Sequence, residues 1–266
     1  MRSHVRRPLT DFRQHVGERG GWVADPFITF SELDQLYSVP LHGQNVDRDE
    51  FYGAFEEAFR AAVSSAIERT GSMVIMHSSG YDSRNLGNAL LNLDKIGDAY
   101  FVCMAPEGKQ FHDIMDYYGV DASRRLVVYR SGNYEDRDSC IRENDFALTV
   151  RVALENFGLK EGESAVWSCG YCNETLQYGF FERYRGLRDT LRDPLRDWII
   201  RYYFCAPYAK NAAECGVEMV YPILDPRVLR VMLGSNIVLN ESVRQGVVRE
   251  ANPELFSFPR YQDVEG

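Results

Sequence analysis

The residues best equipped for chemistry lie together in SSGYDS, positions 78–83. Ser78, Ser79 and Ser83 bring hydroxyl donors, Gly80 has no side chain to block a close backbone approach, and Asp82 adds a carboxylate. Donors converging on bare backbone suit an anion. A carboxylate among them would repel that anion unless a hard cation such as Mg2+ lay between the two. The combination reads as a loop for nucleotide phosphates with one metal ligand. It is not the Walker loop, which needs GxxxxGK[ST]. The plainer reading uses the same residue types: an ordinary strand-to-helix connection with a capping carboxylate. His77, next to the loop, is a candidate base, against a packed or phosphate-facing histidine.

Such a loop works only if a strand delivers it and a helix leaves it. The carboxyl end of a parallel strand entering a helix collects backbone N–H groups and the positive end of the helix dipole. The flanking text supplies both elements: MVIMH is a short apolar strand, and SRNLGNALLNL repeats Leu86, Leu90 and Leu93 at helical spacing. Upstream, DEFYGAFEEAFRAAVSSAIERTG sets Tyr52, Phe55, Phe59, Val63 and Ala66 on one helical stripe, with Gly71 as a stop. Downstream, AYFVCM, RRLVVYR and SAVWSCG read as strands, separated by the helices KQFHDIMDYYG and DFALTVRVALENFG and followed by NETLQYGFFERYR. This alternation predicts an α/β protein with a doubly wound parallel sheet. From Asp189 onward LRDWIIRYYFC, DPRVLRVML and NESVRQGVVREA read as helices, with Asp225 capping the one that opens at Pro226. The expected organisation is an irregular lead-in over residues 1–45, an α/β core over 46–188, and a C-terminal helical layer over 189–266 packed on that core.

Composition narrows the partners. The chain is 45% apolar and 26% charged, a globular balance, and its formal net charge of -9 argues against a general binder of nucleic acid backbones. Arg2, Arg6, Arg7, Arg13 and Arg19 make the start basic, but Asp11 and Glu18 are interleaved, as on a solvated arm. No apolar window approaches the roughly 18 residues a bilayer span needs, and MRSHVRRPLTDF lacks the apolar stretch of a secretion signal. A cytoplasmic protein is expected, with its six cysteines reduced. Among Cys103, Cys140, Cys169, Cys172, Cys205 and Cys215, only Cys169 and Cys172 form a CxxC.

SSGYDS resembles the SGGxDS pyrophosphate loop of the ATP-pyrophosphatase (PP-loop) enzymes, and the text around it resembles the synthetase domain of asparagine synthetase. WSCGYCNETLQYGF is similar to that family's SGxGxDExFxGY loop, YPILDPRVLRVML to its PFLDxRLVEFAL segment, and ANPELFSFPR to its PEEIxxRPK. ELDQLYSVPL and the helix from Asp49 are similar to its lead-in, so the likeness covers residues 30–262. The resemblance implies a fold of the PP-loop (HUP-like, adenine nucleotide alpha hydrolase) type that uses ATP and Mg2+. It implies adenylation of a carboxylate, release of pyrophosphate, and attack by an amine that releases AMP. It also implies residue roles. Ser78, Ser79, Gly80, Asp82 and Ser83 would cradle the leaving pyrophosphate, with Asp82 on Mg2+. Met76 and Val102 would hold adenosine, mainly through backbone, and Ser168 and Cys169 would belong to the loop over ribose and adenine.

Several positions depart from the family pattern. Asn173 stands where a second metal-binding aspartate is usual, and an amide oxygen brings no charge. Gly170 stands where asparagine synthetases often carry a glutamate that assists the amine. Arg260 stands where a lysine stabilises charge on the acyl-adenylate, with a different donor geometry. Asp82, Arg260 and Glu174 are the catalytic candidates that result, although an acid in the first turn of a helix is an equally good account of Glu174. The chain opens Met1-Arg2 with no cysteine nucleophile and is too short for an amidotransferase domain, so it is not expected to hydrolyse glutamine itself. Expected partners are a small-molecule or peptide carboxylate, and ammonia or a primary amine, or a separate amidotransferase that supplies the ammonia. Two alternatives stay open. Cys169 and Cys172 are similar to the zinc cysteines of PP-loop enzymes that make 7-cyano-7-deazaguanine, although structural zinc wants four ligands. The changes at Gly170, Asn173 and Arg260 also fit a nucleotide-binding protein that has lost the chemistry.

Overall fold

The computed structural model describes residues 46–128, 143–168, 212–234, 237 and 241–264. The lead-in expected over 1–45, the helices expected in NETLQYGFFERYR and LRDWIIRYYFC, and Cys140, Cys169, Gly170, Cys172, Asn173, Glu174 and Cys205 lie outside the described residues. The first described helix, α1 (Arg48–Ile67), buries the expected stripe of Tyr52, Phe55, Phe59, Val63 and Ala66, together with Phe51 and Ala62. These positions recur every three or four residues, so they share one face. The Phe51, Phe55 and Phe59 rings stack along it at 6.0 and 5.9 Å. Full burial of each such ring contributes about 1.5–3 kcal/mol. That face is therefore the anchor of α1. Asp49 and Glu50 in the first turn complement the helix dipole.

Strands β1 (Ser72–Met76), β2 (Tyr100–Met104), β3 (Arg125–Val128) and β4 (Ser164–Trp167) follow, separated by helices α2 (Tyr81–Asn92), α3 (Gly108–Tyr117) and α4 (Glu143–Phe157). A fifth strand, β5 (Glu218–Val220), completes a wholly parallel sheet in the order β3-β2-β1-β4-β5. The chain runs outward from β1 to β3, then returns to the other side of β1. The direction of winding thus reverses between β1 and β4. Alternation along β2 shows helices on both faces. Phe101 meets the Tyr118 ring just beyond α3, whereas Tyr100 meets Phe157 and Met104 accepts from Thr149, both on α4.

The C-terminal portion differs from expectation in one respect. β5 lies within the stretch read as helical, and it joins the core sheet at its β4 edge. Three residues are too few to show a period of two. The helices there, α5 (Pro226–Gly234), α6 (Glu241–Ala251), α7 (Pro253–Ser257) and α8 (Tyr261–Val264), include the two expected in this stretch. α5 packs on α1, and α6 on α1 and α2. Asp225 caps α5 as expected, its Oδ1 accepting the Arg227 N–H at 2.9 Å. Among the described residues, no helix is long and apolar enough to cross a membrane.

Candidate active site

SSGYDS leaves the carboxyl end of β1, the central strand, and opens α2. Gly80 is the extended N-cap residue (φ −73°, ψ 160°), and among the described residues no side chain caps this helix start. The loop holds its shape through its own hydroxyls. Ser83 Oγ accepts the Ser78 N–H at 3.0 Å and lies 3.0 Å from Ser78 Oγ, which accepts the Gly80 N–H at 3.2 Å. Only one proton can lie between the two serine oxygens, so the other O–H stays available to point outward. Ser79 Oγ accepts the Tyr261 N–H at 2.9 Å, which ties the loop to the start of α8.

Asp82, in the first turn of α2, pairs with Arg244 of α6, Oδ2 to Nη1 at 3.1 Å. The side chains are 11% and 19% exposed, so solvent screens this pair less than a surface pair. Arg260 grips Asp263 through Nε at 3.0 Å and Nη2 at 2.7 Å, and lies 4.8 Å over the Tyr81 ring. The hydrogen bonds from Arg260 hold the Asp263 carboxyl below its ordinary range. Phe256 stacks on Tyr81 at 5.6 Å. Arg260 therefore reaches the start of α2 and is held there by a carboxylate. The sheet register sets Met76 beside Val102, and Ser168 lies one residue beyond the Ile75–Trp167 pair, so all three fall in one row. The Val102 carbonyl accepts the His77 N–H at 2.8 Å, and the Ser168 N–H donates to Val220 at 3.0 Å, so these two groups serve the sheet.

His77 is a packed residue. The rings of Phe101, Phe111 and Tyr118 surround it at 5.9, 6.2 and 5.9 Å, and neither ring nitrogen has a partner that meets hydrogen-bond geometry. Burial, reinforced by the Arg84 charge, pushes its pKa down to about 3. It is neutral and sealed off, so it is not the loop's base. Cys103 and Cys215 are buried and free, and burial pushes the Cys103 thiol up. Among the described residues, no three His, Cys, Asp or Glu side chains gather to hold a metal.

Besides Arg244, sequence reasoning passed over two further residues of the site. Arg84, fully buried, donates through Nε to the Ser79 carbonyl at 2.9 Å. Its Nη1 donates to the carbonyls of Phe258, Leu255 and Phe256 at 2.7, 3.2 and 3.3 Å, and among the described residues its Nη2 has no acceptor. Glu107 opens α3, and its Oε2 accepts the Ser79 N–H at 2.6 Å. The signals were present in the sequence: a cation directly after Ser83, and an acid at the equivalent turn after the next strand. Asp82 is the loop's own hard carboxylate, the kind of ligand Mg2+ takes in ones or twos while phosphate oxygens and water fill the rest. Arg244 competes for that carboxylate. No protein-family model matches the chain, and no curated protein matches it.

Proposed function

We propose that the protein is an ATP-dependent carbon–nitrogen ligase of the PP-loop, asparagine synthetase-like kind, which adenylates a carboxylate for amide bond formation. The observation that carries this reading is the place of SSGYDS. It joins the central strand to a helix next to the point where the winding reverses, with glycine at an N-cap that no described side chain fills. In the proposed first step a substrate carboxylate oxygen attacks the α-phosphorus of ATP, the bond to the bridging oxygen breaks, and pyrophosphate departs with its electron pair. In the second, an amine nitrogen attacks the acyl carbon, loses a proton, and AMP leaves. Ammonia or a primary amine supplies the nitrogen.

The chain's residues serve the first step. The amides of the first turn of α2 and the second serine O–H would bind the departing oxygens, with the Ser79 N–H once Glu107 yields it, and the α2 dipole favours their charge. Asp82 would hold Mg2+, which neutralises charge on the leaving pyrophosphate. Arg260, anchored by Asp263, adds positive charge at the same helix start. Adenosine would lie across the row of Met76, Val102 and Ser168, and Cys169, which follows Ser168 in sequence, is proposed for the same role. Asn173 and Glu174 are the residues proposed for the metal's second side and the amine step. A second reading, a nucleotide-binding protein without the chemistry, is favoured by the Arg244 guanidinium on Asp82.

Exchange of labelled pyrophosphate into ATP tests the proposal, because reversible adenylation needs a carboxylate and Mg2+ but no amine. Label is expected in ATP with at least one member of a panel of amino acids and peptide acids. Cleavage of ATP to ADP would contradict adenylation. ATP binding with no exchange across the panel would favour the second reading.

A further inference from the structure

We infer that Glu107 is a resident anion of the phosphate loop, whose carboxylate and an incoming phosphate oxygen compete for one donor, the Ser79 N–H. The inference rests on the phosphate reading proposed above. At 2.6 Å this is a short, charge-assisted bond, and it joins the loop after β1 to the turn after β2. Glu107 is the N-cap residue of α3, yet its side chain does not cap that helix. The carboxylate is therefore committed to the neighbouring loop. A second observation shows why that loop takes an anion. Arg84 places a fully buried guanidinium on the carbonyl of the same Ser79, its acceptors among the described residues are all backbone carbonyls, and Nη2 has none there. A buried cation bonded only to neutral groups, at the start of a helix, favours negative charge nearby. Asp263 already acts on Arg84 with one such charge, Glu107 adds a second carboxylate on the Ser79 N–H, and a phosphate would supply more.

The consequence is a threshold. Inorganic phosphate offers the Ser79 N–H little more than the carboxylate it replaces. A pyrophosphate that also engages the α2 start and a Mg2+ on Asp82 gains contacts Glu107 does not make. Glu107 thereby weakens every phosphate ligand by a like factor, so that only one with further contacts, such as a metal-bound polyphosphate end, displaces it.

Calorimetric titration of the full chain with Mg2+-pyrophosphate and with inorganic phosphate tests this, comparing the unaltered protein, Glu107→Ala and Glu107→Gln. Both variants are expected to bind pyrophosphate about tenfold more tightly, since a charge-assisted bond no longer has to be broken. Inorganic phosphate is expected to gain by a similar factor, because it competes for the same donor. Glu107→Gln keeps the size of the side chain, so it reports even if Glu107→Ala unfolds. If the unaltered protein binds pyrophosphate and the variants bind it equally or more weakly, Glu107 braces the loop and the inference is overturned. If none of the three binds pyrophosphate or ATP, the phosphate reading falls and this inference with it.

Discussion

The starts of α5 and α2 each carry an aspartate, and the two helices use it in opposite ways. At the start of α5, Asp225 is 4% exposed, caps the Arg227 N–H, and is neutralised by the Arg227 guanidinium at 2.8 and 2.7 Å. Every partner comes from two residues away. At the start of α2 the cap position is glycine, and Asp82 sits inside the first turn, where its guanidinium partner arrives from α6. A helix start closed by its own local carboxylate is finished structure. One left to glycine, with Glu107, Arg244 and Tyr261 converging on it from three other places in the chain and Arg84 from within α2, is a candidate site. On the proposed reading, the origin of a carboxylate's partners is what sets Asp82 apart from Asp225, since both lie at helix starts.

The comparison predicts how the two aspartates respond to mutation. Asp82→Asn is expected to lower pyrophosphate exchange by about 3–4 kcal/mol of transition-state stabilisation, two to three orders of magnitude, with a far smaller change in folding stability. Equal losses in both would make Asp82 a structural acid like Asp225. The next effect lies beneath the loop, at His77. Its folded pKa, about 3, is below the ordinary 6.5, so between those values the unfolded chain binds a proton that the folded chain does not. This stability contribution is complete above the unfolded value and is lost as pH falls toward 3. Lowering the pH from 7 to 5 should cost about 2 kcal/mol through this group alone. Urea midpoints should show that portion of the acid slope vanish in His77→Phe.

Asp225→Ala should cost about 1–2 kcal/mol of folding stability and leave ATP affinity unchanged, because it removes a cap while the half-exposed Arg227 can turn to water. A weakened affinity measured by titration would place α5 in the site. The smallest effect is expected for Ser83→Ala. Losing one loop hydroxyl while the backbone donors remain should reduce exchange by about 1 kcal/mol, roughly fivefold. A loss as large as that of Asp82→Asn would mean that the hydroxyl touches the reacting phosphorus group directly.

Much of the frame was readable because its signals are local. The Tyr52-Phe55-Phe59-Val63-Ala66 stripe, the apolar runs of β1, β2 and β4, and the serine-rich turn each occupy one short window. β5 escaped because Glu218–Val220 is shorter than the pattern that defines a strand. The missing part of the site escaped for another reason. Pairing of Glu107 with Ser79, or of Arg244 with Asp82, depends on tertiary approach across 28 and 162 positions, which no periodicity encodes. Arg84 offered a hint, as a cation between Ser83 and the apolar positions Leu86 and Leu90, but only packing shows that it is buried. His77 was ambiguous in sequence because a histidine beside a loop faces either way. The three rings around it decide the matter.

The most direct test of the central claim, that the start of α2 takes the phosphate end of ATP while the start of α5 is closed, is hydrogen–deuterium exchange of the backbone amides with and without Mg2+-ATP. The account predicts slowed exchange across Ser78 to Ser83, and no change at Arg227 and Val228, under conditions where titration shows the nucleotide bound. Bound nucleotide with unchanged exchange across Ser78 to Ser83, or protection appearing at the start of α5 instead, would contradict it.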